Sequence, residues 1–266
     1  MFSRVAIGLG GLAILLPAII FGGELAIEII VGLAMLIGLD EYANMAFPQR
    51  RWWATGLLGV VGAALYVSVL YGPTGSTQVV LVVGALVLML ATLFRRGSVD
   101  GAGDAAARLV LGVAWVSGLV LFIPLLRRLD DGLAWVFTML AITWLGDTGG
   151  YFAGRAFGKH KLYEKISPKK TWEGAVGGAV LATIGVFVIR AVALPQLTIV
   201  DCLLLGVVVD AFGVVGDLVE SMFKRSFGVK DSGWILGEHG GMLDRIDALL
   251  FTAPVLYLYL TVVRGL

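Results

Sequence analysis

Apolar runs of about twenty residues fill this chain, and as a helix each is long enough to cross the ~30 Å hydrocarbon layer of a bilayer. Nine such runs can be marked, at about 4–22, 25–46, 53–71, 76–94, 107–126, 132–153, 172–194, 198–222 and 248–264. In lipid every backbone N–H and C=O must find an internal partner, which leaves helices or a closed barrel. The runs are continuous rather than alternating, which excludes the barrel pattern. The expected fold is all-α: a polytopic integral membrane protein of about nine transmembrane helices, its polar site near the cytoplasmic face. A mean hydropathy of +0.93 agrees, because a soluble core of 266 residues cannot hide that much apolar surface.

The first run could pass for a signal peptide. Its basic start is weak and it lacks a clear small-x-small cleavage site before Glu24, so it reads as a retained first helix. The single cysteine, Cys202, excludes an intramolecular disulfide and a cysteine-only metal cage, and its apolar neighbours make it a packing residue. A net charge of +1 names no partner. The distribution of charge says more. With nine spans, sixteen Lys and Arg fall on the side of the N-terminus and four on the other. That bias puts the N-terminus and the charged loops in the cytoplasm. Residues 1–126 then form five packing and lipid-facing spans. Residues 127–266 form the catalytic region, spans six to nine with their charged loops.

Ionisable groups inside spans are costly and face a cavity or a partner. Glu28, Asp40 and Glu41 lie in the second run, Asp147 in the sixth, and Asp210, Asp217 and Glu220 in the eighth; Asp244 and Asp247 precede the ninth. Asp210 and Asp217 are seven apart and share a helix face, as do Asp217 and Ser221 at four. Hard carboxylate oxygens without a Cys/His cluster suit Mg²⁺. Asp217, Asp244 and Asp247 are therefore metal-ligand candidates, with Asp147 beside them. The competing reading is ion pairing, Asp147 with Arg155 or Asp244 with a loop lysine. Gly146, Gly150, Gly154 and Gly158 fall four apart, a small-residue stripe suited to close helix packing.

The segment GRAFGKHKLYEKISPKKTWEG, residues 154–174, carries six basic residues. Positive charge on the cytoplasmic side accounts for their number but not for the SPKKTWEG ending. There Ser167 can cap a helix beginning at Pro168. Lys169 and Lys170 would then sit in its first turn, where the dipole favours acids, so an anion such as phosphate is called for. GRAFGKH fails as a P-loop: the glycine spacing is wrong and His160 stands where Ser or Thr should bind Mg²⁺. In EHGGMLDR, Gly240 and Gly241 permit close backbone approach to a ligand, and His239 stands among charged neighbours.

Residues Ser221 to Asp247, SMFKRSFGVKDSGWILGEHGGMLDRID, resemble the signature of the phosphatidate cytidylyltransferase (CDP-diacylglycerol synthase) family. Ser221, Lys224, Arg225, Lys230, Asp231, Gly237, His239, Gly240, Gly241, Asp244, Arg245 and Asp247 fill that signature in register. The upstream GDTGGYFAGRAFGKHKLYEKISPKKTWEG and the LDEY at Leu39–Tyr42 resemble the family's other polar motifs. One departure is Gly237-Glu238, where members commonly carry Pro-Gly. The resemblance implies that CTP and phosphatidic acid react, with Mg²⁺ and a possible second cation, to give CDP-diacylglycerol and pyrophosphate at the bacterial inner membrane. It also implies a homodimer. On that reading Asp217, Asp244, Asp247 and Asp147 hold metal. Ser167, Lys169 and Lys170 bind phosphate oxygens. Lys224, Arg225 and Arg245 bind the lipid phosphate or the triphosphate. His239 orients a phosphate or moves a proton. Lys230, Asp231, Ser221, Gly240 and Gly241 contact substrate, and no nucleic acid is expected. The rival readings are another CTP-dependent lipid enzyme (a polyprenol kinase or an archaeal-lipid cytidylyltransferase), a membrane transporter, and a lipid-binding scaffold. The first differs in its products; the second needs a polar path to both faces, whereas polar residues here gather toward one side.

Overall fold

The computed structural model describes residues 13, 15–95, 99–235 and 240–266. Arg4, Arg96, Gly237, Glu238 and His239, which entered the reading above, lie outside the described residues, as does most of the first run. The fold is almost wholly helical, as expected. Among the described residues, six helices are long and apolar enough to cross a membrane: 48–71, 76–93, 102–127, 172–192, 199–226 and 243–263. The elements are α1 (Gly23–Ala46), α2 (Arg51–Tyr71), α3 (Ser76–Leu93), α4 (Ala102–Gly112), α5 (Phe122–Arg127), α6 (Gly132–Phe157), α7 (Trp172–Val192), α8 (Ile199–Leu204), α9 (Asp210–Ser226) and α10 (Leu243–Leu258). π-helical turns at Val113–Gly118 and Leu205–Val209 lead out of α4 and α8, and a third at Tyr259–Val263 extends α10. The helices α1 and α6 are also long, 24 and 26 residues, and carry Asp40 and Glu41, and Asp147, within them.

One element lies outside the all-α expectation. A small antiparallel hairpin, β1 (Lys161–Tyr163) and β2 (Ser167–Thr171), joins α6 to α7. It corrects the expected helix start. Ser167 does not cap a helix at Pro168. It begins a strand, with Tyr163 opposite Ser167 and Lys161 opposite Thr171. The residue before a proline is biased toward extended backbone, which favours the strand. The helix starts at Trp172 instead, capped by Thr171, whose Oγ1 accepts the N–H of Gly174 at 3.1 Å. The acid Glu173, not a lysine, occupies the first turn, as the helix dipole prefers. Its carboxylate also accepts the N–H groups of Lys159 and His160, at 3.1 and 3.2 Å, and so ties down the loop ahead of β1. Thr171→Ala removes a cap worth about 1 kcal/mol. It should lower the thermal midpoint in detergent by a few degrees, and Thr171→Ser should recover most of the loss.

The chain forms two compact units, one of residues 1–27, 122–230 and 244–266 and the other of residues 28–121 and 231–243. In the first, α6 and α7 make the most extensive helix pair. Their glycines explain it. A Cβ on Gly149 would sit 2.4 Å from the carbonyl oxygen of Gly177, and one on Gly178 would sit 2.8 Å from that of Gly146. The backbones touch, so Gly146, Gly150 and Gly154 do serve as the packing stripe, facing Gly174 and Gly178. Cys202 is fully buried, a packing residue as its neighbours suggested.

In the second unit, LDEY ties α1 to three other segments. Asp40 accepts from Arg51 Nε at 3.1 Å and Thr55 Oγ1 at 2.8 Å, both on α2. Tyr42 Oη donates to the carbonyl of Arg108 on α4 at 2.8 Å. Glu41 turns the other way, to residues 232–243.

Candidate active site

The first unit gathers most of the acids singled out in the sequence. Helix α9 supplies a face: Asp210, Asp217, Glu220, Ser221 and Lys224 fall along it at helical spacing. Glycines on the same helix let its neighbours close in. A Cβ on Gly216 would lie 2.6 Å from the carbonyl of Asp247 on α10, and one on Gly213 would lie 3.0 Å from Thr252. Where α6 crosses, a Cβ on Gly146 would lie 1.9 Å from Oδ1 of Asp210. Small residues thus bring three helices, and the carboxylates on them, within range of one another.

Two lysines bind these carboxylates. Lys170, on β2, places its Nζ 2.8 Å from Oδ2 of Asp217. Lys224 lies between two acids, 2.5 Å from Oε2 of Glu220 and 2.6 Å from Oδ1 of Asp244. Ser221 Oγ donates to Asp217 Oδ1 at 3.3 Å. Asp247 accepts the N–H of Ala248 and lies within electrostatic range of Asp217, Asp147 and Lys170. A cavity of about 160 Å³ opens here, lined by Asp147, Tyr151, Lys169, Lys170, Thr171 and Asp217. It is bounded by the hairpin that replaced the expected helix start.

Lys169 is exposed at the cavity's edge, and Ser167 is half-buried in β2. Arg225 is exposed and donates to the carbonyl of Val229 at 3.3 Å. Arg245 and Lys230 are exposed. Asp231, Gly240 and Gly241 belong to the second unit, and His239 is not among the described residues. Arg155 does not pair with Asp147 as the competing reading had it; its Nη1 donates to Tyr151 Oη at 3.0 Å. Asp244 does pair with a lysine, but with Lys224 on helix α9 and not with a loop lysine as that reading had it. Two buried acids join the cluster that sequence reasoning noted without giving them a place in the site. Asp210 is 5% exposed and Glu220 1% exposed. The i, i+4 spacing of Glu220 and Lys224 was a usable signal for the latter.

Charge decides what the cluster can do. Lys170 and Lys224 face Asp147, Asp210, Asp217, Glu220, Asp244 and Asp247. Glu220 has Lys224 against one oxygen, and among the described residues neither of its buried oxygens has a donor of good hydrogen-bond geometry. Excess negative charge away from water favours a bound cation. Among the described residues no three His, Cys, Asp or Glu side chains enclose an ion on their own. The carboxylates nonetheless offer hard oxygens, which fit a hard divalent cation that completes its shell with other oxygen ligands.

The profile of the Cytidylyltransferase family matches residues 2–263. The phosphatidate cytidylyltransferase of Staphylococcus haemolyticus is 35% identical over 269 residues, 98% of this chain and 99% of its own. That of Staphylococcus aureus is 35% identical over 272 residues with the same coverage. The phosphatidate cytidylyltransferase of Bacillus subtilis is 45% identical over 136 residues, 51% of each chain.

Proposed function

Since this chain belongs to the Cytidylyltransferase family, we propose that it transfers the cytidylyl group of CTP to phosphatidic acid, giving CDP-diacylglycerol and pyrophosphate. The observation that carries the reading is the convergence of Lys170, Asp217, Lys224 and Asp244, from the hairpin and two long helices, into one cluster of opposite charges. An oxygen of the lipid phosphomonoester attacks the α-phosphorus of CTP as the bond to the leaving pyrophosphate breaks. The lipid phosphate is largely dianionic near neutral pH, so the enzyme supplies no nucleophile, and catalysis rests on positioning and charge.

In this reading Lys169 and Lys170, with Ser167, hold phosphate oxygens of CTP. Lys224, Arg225, Lys230 and Arg245 receive the remaining phosphate charge, and His239 orients one phosphate. Ser221 fixes the Asp217 carboxylate, and Asp231, Gly240 and Gly241 approach substrate through the signature loop. Asp217, Asp244, Asp247 and Asp147 are the carboxylates of which one or two would hold Mg²⁺, which when bound would neutralise phosphate charge. Lys170 holds Asp217 and Lys224 holds Asp244 in place until substrate arrives. The enzyme is placed in the cytoplasmic membrane as a homodimer of nine-span chains, with the charged loops inside; the sixteen-to-four bias of Lys and Arg supports that orientation.

The decisive assay supplies purified enzyme with CTP labelled at the α-phosphorus, phosphatidic acid and Mg²⁺. Label should enter the lipid and unlabelled pyrophosphate should be released; omission of Mg²⁺ should stop both. Recovery of the label as CDP, with an unlabelled lipid product, would replace the transferase by a kinase.

A further inference from the structure

Glu41 is a carboxylate in the C-terminal part of the long helix α1, and the cation cluster of the other unit does not account for it. It is 6% exposed. A buried charge is retained where donors compensate it. Here they come from a segment about 200 residues away in sequence. Oε1 accepts the N–H of Met242 at 2.8 Å, and Oε2 accepts the N–H of Leu243 at 2.9 Å and Ser232 Oγ at 3.2 Å. Met242 and Leu243 are the residues at which α10 begins. The first N–H groups of a helix have no partner within it, and the dipole there favours negative charge. Glu41 thus supplies the N-terminal cap of α10 from a different helix.

The glycines of the segment are fitted to this carboxylate. A Cβ on Gly233 would lie 2.5 Å from Glu41 Oε1, with Glu41 Cδ and Cγ the next nearest atoms. A Cβ on Gly241 would lie 2.5 Å from Oε2. Gly240 takes a φ of +79°, a turn that glycine adopts without strain. The turn into α10 is therefore built around the Glu41 carboxylate, and the next residue in the chain is Asp244.

We propose that Glu41 is a positioning residue: by binding the N–H groups of Met242 and Leu243 it fixes where α10 starts, and hence the direction in which Asp244 is presented. The catalytic part of this statement rests on the cytidylyltransferase reading; the capping part does not, and the two are tested separately.

Amide hydrogen exchange, read by mass spectrometry on detergent-purified full-length protein, tests the cap. In Glu41→Ala, exchange in a peptide containing Met242 and Leu243 should accelerate by about tenfold or more, with peptides from α7 unchanged. Unchanged exchange at 242–243 overturns the cap. Steady-state kinetics test the consequence. Glu41→Gln, which keeps size and one acceptor, should lower kcat about 10- to 100-fold and leave KM for CTP within about threefold. A wild-type kcat overturns the positioning role, as does a loss confined to KM. Gly233→Ala should mimic Glu41→Gln by displacing the carboxylate, and the double variant Glu41→Ala/Gly233→Ala should be no worse than Glu41→Ala alone. Simple multiplication of the two losses would show that the glycine and the carboxylate act independently and would also refute the proposal. Should Glu41→Ala not fold, Gly233→Ala carries the exchange test. A wild-type protein that makes no CDP-diacylglycerol removes the reaction but leaves the exchange result standing.

Discussion

Asp244→Asn should yield protein that extracts and purifies like the wild type and turns over CTP about a hundred- to a thousandfold more slowly, the scale at which a single preorganised electrostatic contact is felt. The substitution keeps the shape of the side chain and removes its charge. Lys224 is shared by Asp244 and Glu220. Without the Asp244 charge it is drawn to Glu220, 2.5 Å away and buried. The ammonium is then no longer held toward the cluster, and the anionic oxygen that Mg²⁺ would use is replaced by a neutral amide. The measurement is kcat across an Mg²⁺ titration, with the thermal midpoint as a control for folding. Excess Mg²⁺ should not restore the rate, because both losses are local. A variant with undiminished kcat would remove Asp244 from the reaction and leave the Lys224 pair a structural ion pair only.

Gly149→Leu should cost more than any exposed substitution in the chain, about 3 kcal/mol or more. Even the first carbon of the new side chain would lie 2.4 Å from the carbonyl oxygen of Gly177 and 2.9 Å from Leu181 Cβ, and a backbone oxygen cannot rotate away. The α6–α7 pair must separate. Asp147 is carried by α6, and the hairpin with Lys170 is strung between the two helices, so activity should fall together with the thermal midpoint. The contrast is Gly59→Ala on α2, where a Cβ meets nothing within 4 Å. That change should be neutral or stabilising by up to about 1 kcal/mol, since alanine loses less freedom in a helix. If Gly149→Leu melts like the wild type, the close helix contact is wrong.

The residues differ in how far their roles could be read from the chain alone. The row of Asp210, Asp217 and Ser221 was legible because helical spacing is a local property, and α9 has it. The glycine stripe on α6 was legible for the same reason, though its partner glycines on α7 were not named. The lysines of SPKKT were read with the wrong local structure. A serine followed by proline reads equally well as a helix cap and as the start of a strand. Pairing of Lys161 with Thr171 selects the strand. The same pairing turns Lys170 toward Asp217 and leaves Lys169 exposed, a division that adjacent identical residues cannot announce.

What the amino-acid sequence determined by itself is the class of the protein and the stock of its chemistry. Apolar runs fix helices, because nothing else satisfies the backbone in lipid, and costly acids among them mark where compensating partners must be found. Tertiary structure alone decided which charge meets which. Asp217 found Lys170, Lys224 came to sit between Glu220 and Asp244, and Glu41 closed on the start of α10, about 200 residues away. Charge attraction acts through space and is indifferent to separation along the chain, so the pairing of these groups is set by how glycine-lined helices pack and not by any local pattern.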